Sequence, residues 1–263
     1  MQRRSTTVED FWKDLETSLN NLKIDYIDIY QFHNPSFCPK PGDGTGLYEA
    51  MLEAKAQGKI HFIGLTNHRL PVAIEACESG LYDTIQFPFS YLADQKDIDL
   101  VNKCKENNIG FICMKALSGG LINRSDAAYA YLAQFDNVLP IWGIQKESEL
   151  DEFISYQTKA PELTQEIQDL IAHDRKELAG DFCRGCGYCM PCPKGIQINQ
   201  CARMSLMLRR APAASWLNDH WQAEMKKIEE CLNCGKCKQH CPYHLNTPKL
   251  LKKNYEDYKT FLK

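Results

Sequence analysis

The sequence predicts an α/β chain in which repeated strand–helix units are followed by a smaller, mostly helical part that is rich in cysteine. Two observations predict this. Through residues 1–160, apolar segments of strand length alternate with segments of helical periodicity. Nine of the 13 cysteines lie between Cys183 and Cys241. Strands that are each followed by a helix are typical of a parallel sheet or a β/α barrel.

Five strands are predicted in the first part, and their residues are mostly apolar rather than alternating with polar ones. Parallel strands that are buried on both faces have this pattern. The predicted strands cover residues 25–30, 60–65, 84–89, 110–115 and 138–144.

Helices precede and separate these strands, and they begin and end at residues that commonly cap helices. Thr7 is the predicted N-cap of the first helix, and Gly58 and Gly80 each end a later one. The apolar face of the first helix is Val8, Phe11, Trp12, Leu15, Leu19 and Leu22. The other predicted helices of this part cover residues 47–57, 71–79, 97–107, 126–135 and 148–156.

The rest of the chain is predicted to be mostly helical, with helices over residues 164–178, 198–210, 216–230 and 248–261. We therefore predict three parts. A partial barrel covers residues 1–160, a linker helix lies within 161–180, and a cysteine-rich domain covers 181–263.

The composition is that of an ordinary soluble protein, with 44% hydrophobic residues, 25% charged residues and a formal net charge of -3. No apolar run approaches the roughly 20 residues that a membrane-spanning helix needs. The first ten residues, MQRRSTTVED, have no apolar stretch after the arginines, so they do not form a secretory signal. We expect a cytoplasmic location and no membrane association.

The cysteines fall into two groups that need different explanations. Cys38, Cys77, Cys104 and Cys113 are scattered, and we expect them to be small core residues. The other nine are clustered. A secreted disulfide scaffold would show a signal peptide and would not be joined to a large, cysteine-poor part. Metal ligation in a reducing compartment fits the clustered cysteines better.

Two runs of four cysteines carry the strongest signal in the sequence. The second run, Cys231-Leu-Asn-Cys234-Gly-Lys-Cys237-Lys-Gln-His-Cys241-Pro242, matches the bacterial ferredoxin pattern C-x2-C-x2-C-x3-C-P. In that pattern three thiolates on one loop bind one [4Fe–4S] cluster, and the fourth binds the other cluster. We therefore predict two clusters. The first is held by Cys183, Cys186, Cys189 and Cys241, and the second by Cys231, Cys234, Cys237 and Cys192.

Two details leave alternatives open. The first run has two residues rather than three before Cys192, so the role of this cysteine is less firmly defined than that of the others. Cys201 has no place in the scheme and is expected to pack in a core. Zinc is the alternative metal, since four-cysteine zinc sites also use C-x2-C pairs. Two four-cysteine runs that each end in Cys-Pro favour the clusters.

The charge is unevenly distributed along the chain. Residues 181–263 contain 14 Lys and Arg against 7 Asp and Glu, while the rest of the chain is acidic. A basic segment raises the alternative of nucleic-acid binding. Because these charges are interleaved with the cysteines, we expect instead that they offset thiolate-ligated clusters, which are net anionic. We expect no nucleic-acid partner.

The first part resembles the aldo-keto reductase family, and specifically its members with a C-terminal ferredoxin-type domain. The matching segments are Leu22-x-x-Asp25-Tyr-Ile-Asp28-Ile-Tyr30-x-x-His33, Gly58-Lys-Ile-x-x-Ile-Gly64-Leu-Thr66-Asn67, Gln86, Met114-Lys115-Ala-Leu-x-Gly119-Gly120 and Pro140-Ile-x-Gly143. The cysteine region resembles the α-helical ferredoxin-type domain of the same subfamily. The resemblance implies a (β/α)8 barrel of TIM type, of which only the last five βα units are recognisable, followed by a mostly helical dicluster domain.

The resemblance also implies an enzyme that reduces carbonyl compounds with NAD(P)H. His33 corresponds to the histidine of the family's catalytic tetrad and follows a strand, where barrel active sites are built. Judged without the resemblance, a histidine in this place is more often structural. The tyrosine, lysine and aspartate of the tetrad belong to earlier strands that this sequence does not show. We therefore expect the sequence to be a fragment of a longer protein.

Several residues are implied to bind the cofactor. Thr66, Asn67 and Gln86 correspond to residues that hold the nicotinamide amide. Lys115, Gly119 and Gly120 correspond to a loop near the cofactor phosphates, although the two glycines could also form a plain turn. After the last strand, residues 145–147 read Gln-Lys-Glu and lack a clear phosphate-binding motif, which leaves open the choice between NAD and NADP.

Two functions follow from these predictions. The first is an iron–sulfur oxidoreductase of aldo-keto reductase type, in which nicotinamide-dependent hydride or electron transfer is coupled to two [4Fe–4S] clusters. Its partners would be a small carbonyl substrate and a redox protein. The alternative is a non-catalytic electron carrier, in which the barrel fragment serves only as a scaffold.

Overall fold

The computed structural model describes residues 7–178, 182–210 and 213–262. These residues form two compact units. Unit 1 consists of the described residues within Met1–Pro88, Ala93–Met114 and Phe135–Ile141, and unit 2 of those within Phe89–Leu92, Lys115–Gln134 and Trp142–Lys263. The predicted boundary between residues 180 and 181 lies outside the described residues, so the three-part division stays a prediction.

Unit 1 contains a five-stranded parallel sheet whose strands follow each other in chain order. The strands are β1 (Ile27–His33), β2 (Ile60–Thr66), β3 (Thr84–Pro88), β4 (Gly110–Met114) and β5 (Val138–Pro140). All five predicted strands are therefore present. The last is shorter than predicted, although the Ile141 N–H that follows it still donates to the Cys113 carbonyl of β4 at 2.9 Å.

The helices of unit 1 are α1 (Val8–Leu22), α2 (Leu47–Ala56), α3 (Leu70–Glu78) and α4 (Gln95–Glu106). Thr7 caps α1 as predicted, and its Oγ1 accepts a hydrogen bond from the Asp10 N–H at 3.1 Å. The buried stripe of α1 is narrower than predicted, since Phe11, Leu15 and Leu19 are buried while Val8 and Leu22 are exposed.

The two faces of the sheet have different environments. The face packed against the helices is apolar and buried, with Ile63, Leu65, Ile85, Phe87, Phe111 and Cys113. The opposite face, which we call the open face, carries polar side chains together with exposed apolar ones. The exposed apolar residues of the open face are Ile29, Phe62 and Leu139. Sequential strand order with helices on one face is the arrangement of a β/α barrel wall.

A glycine is required in the middle of the open face. Gly64 of β2 is paired with Gln31 of β1 and with Thr84 of β3. A Cβ atom at Gly64 would collide with both neighbouring side chains, with Gln31 Cγ at 2.8 Å. This glycine, which the family resemblance had also singled out, lets three strands bring polar side chains together.

Unit 2 is helical, as predicted. Its helices are α5 (Ser125–Leu132), α6 (Glu147–Thr158), α7 (Gln165–Glu177), α8 (Ile198–Cys201), α9 (Met204–Arg210), α10 (Asp219–Lys226), α11 (Lys236–Gln239) and α12 (Thr247–Thr260). Short 3₁₀ helices at Ala213–Trp216 and Lys227–Glu230 flank α10. The core of this unit includes Ile196, Met204, Leu208, Met225, Leu251 and Tyr258, together with Cys201, which is fully buried.

The predicted helix over 198–210 is broken into α8 and α9. Asn254 of α12 explains the break, because its side chain takes over backbone groups there. Its Nδ2 donates to the Ala202 carbonyl at 3.2 Å, and its Oδ1 accepts from the Ser205 N–H at 2.8 Å. Because the Asn254 side chain satisfies both backbone groups, the interruption of the helix leaves neither of them without a hydrogen bond.

A buried ion pair lies within unit 2. Arg210 of α9 donates to Asp174 and Glu177 of α7, at 2.6 Å in each case. Asp174 also accepts a hydrogen bond from the Tyr91 hydroxyl. Burial alone raises the pKa of Asp174, but the hydrogen bonds from Arg210 and Tyr91 outweigh it and leave this pKa below its usual value.

Within the described residues, no helix has the length and apolar character needed to cross a membrane.

Candidate metal and cofactor sites

Eight cysteines of unit 2 line two separate cavities. Cavity A is lined by Cys183, Cys186, Cys189 and Cys241. Cavity B is lined by five cysteines, Cys189, Cys192, Cys231, Cys234 and Cys237. Cys241 of the second run thus lies with the first run in cavity A, and Cys192 of the first run lies with the second run in cavity B. Each cavity includes the four cysteines predicted for one cluster, and because Cys189 lines both, the assignment of each cysteine to a cluster stays a prediction.

The loops that carry these cysteines turn at residues with left-handed backbone conformations. Gly185 and Gly187 have φ values of 67° and 82° in the first run, and Asn233 and Gly235 have values of 50° and 73° in the second. Such residues bend a short segment sharply enough for neighbouring thiols to face one cavity. Gly235 also precedes α11, which carries Cys237.

The donor chemistry of both cavities fits an iron–sulfur cluster. Each cavity is lined by at least four cysteines, and thiolates are the ligands of [4Fe–4S] clusters. Four-cysteine zinc sites use the same ligand type, so the preference for clusters rests on the two C-x2-C-x2-C runs, each of which ends in Cys-Pro.

Three thiols of cavity A, those of Cys183, Cys186 and Cys189, have raised pKa values and stay protonated unless a metal displaces the proton. Burial raises the pKa of Cys183 and of Cys186, and burial together with these two neighbours raises the pKa of Cys189 to about 12. Because only thiolates ligate metal, loading of the cavity must release protons.

Two cations of unit 2 act on the thiols of cavity A. Arg203 partly counteracts the effect of burial on the Cys183 pKa, and Lys115 does so for Cys186. Lys115 belongs to the loop that the resemblance assigned to cofactor phosphates. Arg203 is one of the basic residues of 181–263, and the expectation that the basic charge of this segment offsets the clusters stays a prediction.

One other cluster of metal-binding residue types is present in the described part of the chain, formed by His173, Asp174 and Glu177. The guanidinium of Arg210 already donates to both carboxylates. A cation therefore occupies this position, and the cluster is a structural ion pair.

The predicted catalytic residue His33 and two of the residues assigned to the nicotinamide, Thr66 and Gln86, form a row across the sheet of unit 1. His33 of β1 is paired with Thr66 of β2, and Thr66 is paired with Gln86 of β3. Paired residues of neighbouring strands project from the same face. His33, Thr66 and Gln86 thus lie side by side on the open face, at or near the carboxyl ends of their strands.

An open cavity of about 600 Å³ adjoins this row, with His33, Thr66 and Gln31 in its lining. Tyr30 also lines it, but it alternates with His33 along β1 and leaves the sheet on the other face. Burial and the nearby Asp14 raise the pKa of Tyr30 to about 12. A tyrosine that donates a proton in catalysis needs a lowered pKa, so Tyr30 has the wrong properties for that role.

Asn67 differs from its three neighbours because its side chain is already engaged. It is fully buried, and its Nδ2 donates to the Pro35 carbonyl at 2.9 Å. Its Oδ1 accepts from the N–H groups of His68 and Arg69, both at 2.9 Å. The Asn67 side chain is thus engaged with backbone groups of unit 1.

The residues assigned to the phosphate loop belong to unit 2. Gly119 and Gly120 lie in a tight turn, in which the Gly120 N–H donates to the Leu117 carbonyl at 2.9 Å. Lys115 and Ser118 both have left-handed backbone conformations, with φ values of 60° and 49°. The two glycines thus form a turn, which was the alternative interpretation of this segment. A turn does not exclude contact with a ligand, because turns of this kind present backbone N–H groups to anions.

The comparison with protein families assigns both parts of the chain. A sequence model described as "Aldo/keto reductase family" matches residues 1–138. The chain belongs to the aldo/keto reductase family. A second model, described as "4Fe-4S dicluster domain", matches residues 182–246, which include all eight predicted ligands. The predictions of the family and of its combination with an iron–sulfur domain are confirmed.

Curated relatives and solved structures agree with this assignment. The NADH-specific methylglyoxal reductase of Escherichia coli is 30% identical over 119 residues, which are 45% of this chain and 36% of the relative. Methylglyoxal reductase DkgB of Salmonella typhi is 36% identical over 104 residues, or 35% of this chain and 38% of the relative. This aldo/keto reductase chain thus spans little more than a third of the length of these relatives.

Among solved structures, aldo-keto reductase AKR11C1 from Bacillus halodurans superimposes with a TM-score of 0.53 at 20% identity, over 64% of this chain and 68% of that one. The similarity confirms the predicted fold class, a wall of a β/α barrel followed by a helical region.

The sequence analysis did not single out Arg203, which acts on the Cys183 thiol in the structure. It stands between Cys201 and Met204 in a segment that was predicted to be one continuous helix. The available signal was an arginine within an otherwise apolar stretch of core residues. A charge in such a place needs a partner.

Proposed function

We propose that the protein is an iron–sulfur oxidoreductase in which nicotinamide-dependent hydride or electron transfer is coupled to two [4Fe–4S] clusters. The main observation behind this proposal is that eight cysteines line two cavities within a chain of the aldo/keto reductase family. A redox enzyme that needed only a nicotinamide would have no use for these cysteines.

In this proposal each cavity holds one cluster. Cys183, Cys186, Cys189 and Cys241 bind the cluster of cavity A, and Cys192, Cys231, Cys234 and Cys237 bind that of cavity B. The clusters supply one-electron storage at potentials set by the surrounding charges and hydrogen bonds. The left-handed residues of the loops hold the thiols in place, and the buried side chains of unit 2 limit the access of water.

The open face of the sheet would bind the substrate and the nicotinamide ring. Thr66 and Gln86 offer hydrogen bonds to an amide, and His33 offers one to the oxygen of a carbonyl substrate. When bound, the nicotinamide supplies a hydride. Stabilising the negative charge that develops on the oxygen is the task of hydrogen-bond donors at this position. The substrate class that we propose is a small carbonyl compound, in line with the methylglyoxal reductases among the relatives.

The cofactor that we propose is NADH rather than NADPH. By the family resemblance, the adenosine phosphate would bind after the last strand, near the start of α6. There the Glu149 carboxylate accepts hydrogen bonds from the N–H groups of Gln145 and Lys146, at 2.7 and 3.2 Å. A carboxylate in this place repels a phosphate and occupies the N–H groups that would bind one.

The surface over cavity B supports the proposal of a protein partner. Leu232 and the ligand Cys234 are exposed, and Lys236 and Lys238 beside them are exposed as well. Neither lysine forms a salt bridge within the described residues. We propose that an acidic electron-carrier protein docks on this surface in the cytoplasm. The negative charge of the carrier complements the lysines. The exposed surface that the carrier would contact includes the predicted cluster ligand Cys234.

Anaerobic titration with NADH tests the proposed function. The complete native protein should bind NADH, and NADH should bleach the visible absorption of the clusters. The variants Thr66→Val and Gln86→Leu should weaken NADH binding about tenfold while the iron content stays unchanged. If NADH neither binds nor reduces clusters that dithionite does reduce, the coupled oxidoreductase is refuted.

That negative result would support the alternative, a non-catalytic electron carrier. One observation favours this alternative. Within the described residues of the cavity beside His33, the tyrosine present is Tyr30, whose pKa is raised to about 12 and whose side chain lies on the other face of the sheet. Carbonyl reduction thus needs a proton donor besides those that this cavity shows.

A further inference from the structure

Arg203 is a buried charge in the gap between α8 and α9. Only 5% of the residue is exposed. Among the described residues, no carboxylate forms an ion pair with it, whereas Arg209 and Arg210 on the next helix are both paired with acids. Its Nε is buried without a hydrogen-bond partner. An unpaired buried guanidinium is costly, so a counter-charge is expected nearby.

The guanidinium lies between two loops of unit 2. Its Nη2 donates to the Gly119 carbonyl and contacts Met207 Sδ at 3.2 Å. Its Nη1 lies against Gly185, so closely that any side chain at Gly185 would collide with it. Gly185 directly precedes Cys186 in the Cys183–Cys186 segment, and Gly119 belongs to the Lys115–Gly120 turn. Arg203 thus contacts the cluster loop of cavity A and the turn at the same time.

The thiolates of cavity A, when they bind a cluster, can supply the negative counter-charge that Arg203 lacks. A cluster bound by four thiolates is net anionic, and each electron that it accepts adds one negative charge. A fixed positive charge at short range in a low-dielectric interior stabilises the reduced state more than the oxidised state. It therefore raises the reduction potential of that cluster.

We propose that Arg203 is the internal counter-charge of the cluster in cavity A and that it couples this cluster to the Lys115–Gly120 turn. A ligand anion at the turn competes for the guanidinium and lowers the reduction potential of the cluster. Because binding linkage is reciprocal, reduction of the cluster weakens the binding of that anion by the same factor. The part that concerns the turn rests on the proposed function, since it takes the dinucleotide phosphates as the anion.

The test is a potentiometric titration of the reconstituted protein without nucleotide, followed by electron paramagnetic resonance. Arg203→Met removes the charge at similar volume. The midpoint potential of one of the two reduction steps should fall by at least about 59 mV. For a one-electron step this shift corresponds to a tenfold change in the ratio of reduced to oxidised cluster. The other step should stay in place. Arg203→Lys keeps the charge and should restore most of the shift.

The matched control is Arg209→Met. Arg209 is six residues further along, on α9, and its guanidinium is partly exposed and paired with Asp257. Removing this charge should leave both reduction steps unchanged. Iron content and far-ultraviolet circular dichroism establish that every variant is folded and loaded. Equal shifts in Arg203→Met and Arg203→Lys would show a packing effect and would overturn the counter-charge.

A second titration with NADH analogues that cannot transfer hydride tests the coupling. The analogue should lower the potential of the same cluster in the native protein and have a much smaller effect in Arg203→Met. If the analogue binds without moving the potential of the native protein, the coupling is refuted while the counter-charge stands. If it does not bind at all, the proposed function fails, and the nucleotide-free titration still decides the role of Arg203.

Discussion

Individual buried charges of unit 2 show how strongly the environment of a residue decides its role. Arg210 and Arg203 lie on or beside the same short helix, and both are buried. Arg210 has Asp174 and Glu177 as partners and is a structural residue. Arg203 has no such partner among the described residues, and we infer that it faces a cluster instead. The sequence offered no means of telling them apart, because both partners are distant along the chain.

The Arg210–Asp174 pair leads to a prediction of stability. Asp174→Asn leaves Arg210 with one carboxylate, and removal of one member of a buried pair should cost roughly 3 kcal/mol in the free energy of unfolding at pH 7. Thermal unfolding followed by circular dichroism measures this loss. Asp169→Asn, an exposed change on the same helix, is the control and should have little effect.

The same pair predicts a pH dependence. The folded-state pKa of Asp174 lies below the ordinary value of 3.8. Its contribution to stability is therefore present above about pH 4 and is lost as the pH falls through the folded-state pKa. The difference in stability between the native protein and Asp174→Asn should shrink toward pH 3. A difference that stays constant from pH 7 to pH 3 would contradict the role of the ionised carboxylate.

At the scale of elements, the sequence predicted which segments are strands and helices better than where they end. Apolar runs of strand length located all five strands, since the strand residues that face the helices are apolar and buried. β5 is shorter than its apolar run, and the helix over 198–210 broke because Asn254, more than 40 residues away, satisfies its backbone. Tertiary contacts of this kind are not encoded in local periodicity.

The candidate sites were predictable to different degrees for the same reason. The cysteine sets follow from spacing, because a C-x2-C-x2-C loop has few ways to reach a cubane. The row of His33, Thr66 and Gln86 depended on strand register, which only the structure supplies. The engagement of Asn67 with Pro35, His68 and Arg69 could not be foreseen from its position after a strand.

The start of α6 gives a prediction about cofactor choice. Glu149→Gln removes the negative charge that accepts the Gln145 and Lys146 N–H groups. The ratio of the NADPH to the NADH dissociation constant should fall about tenfold, as a phosphate no longer meets a carboxylate at the helix N-terminus. Fluorescence titration of both nucleotides measures the ratio. Glu147→Gln, in the same first turn, should leave it unchanged, and an unchanged ratio in Glu149→Gln would exclude this residue as the determinant.

For the whole molecule, the division of charge is the most informative property. The chain has an acidic first part and a basic last part, and the basic part carries the predicted cluster ligands. Electrostatic steering acts over the distance of a protein–protein encounter and is weakened by salt. The surface over cavity B thus has the positive charge, and the exposed predicted ligand Cys234, that suit the acidic electron carrier that we propose.

Charge reversal tests this surface. Lys236→Glu combined with Lys238→Glu should lower the rate of electron exchange with an acidic ferredoxin-type carrier about tenfold at low salt, and should flatten its dependence on ionic strength. Stopped-flow mixing measures the rate. Lys252→Glu with Lys253→Glu on α12 makes the same change in net charge elsewhere. Equal losses in the two double variants would show that overall charge matters and that the docking surface is wrong.

The central claim is that two [4Fe–4S] clusters occupy cavities A and B, and the most direct measurement is the metal and sulfide content of the protein purified without oxygen. The account predicts about eight iron atoms and eight acid-labile sulfides per chain, with no zinc. It also predicts that Cys192→Ser loses the cluster of cavity B, about four irons, while the other cluster remains. Stoichiometric zinc without sulfide, or an iron content unaffected by Cys192→Ser, would contradict it.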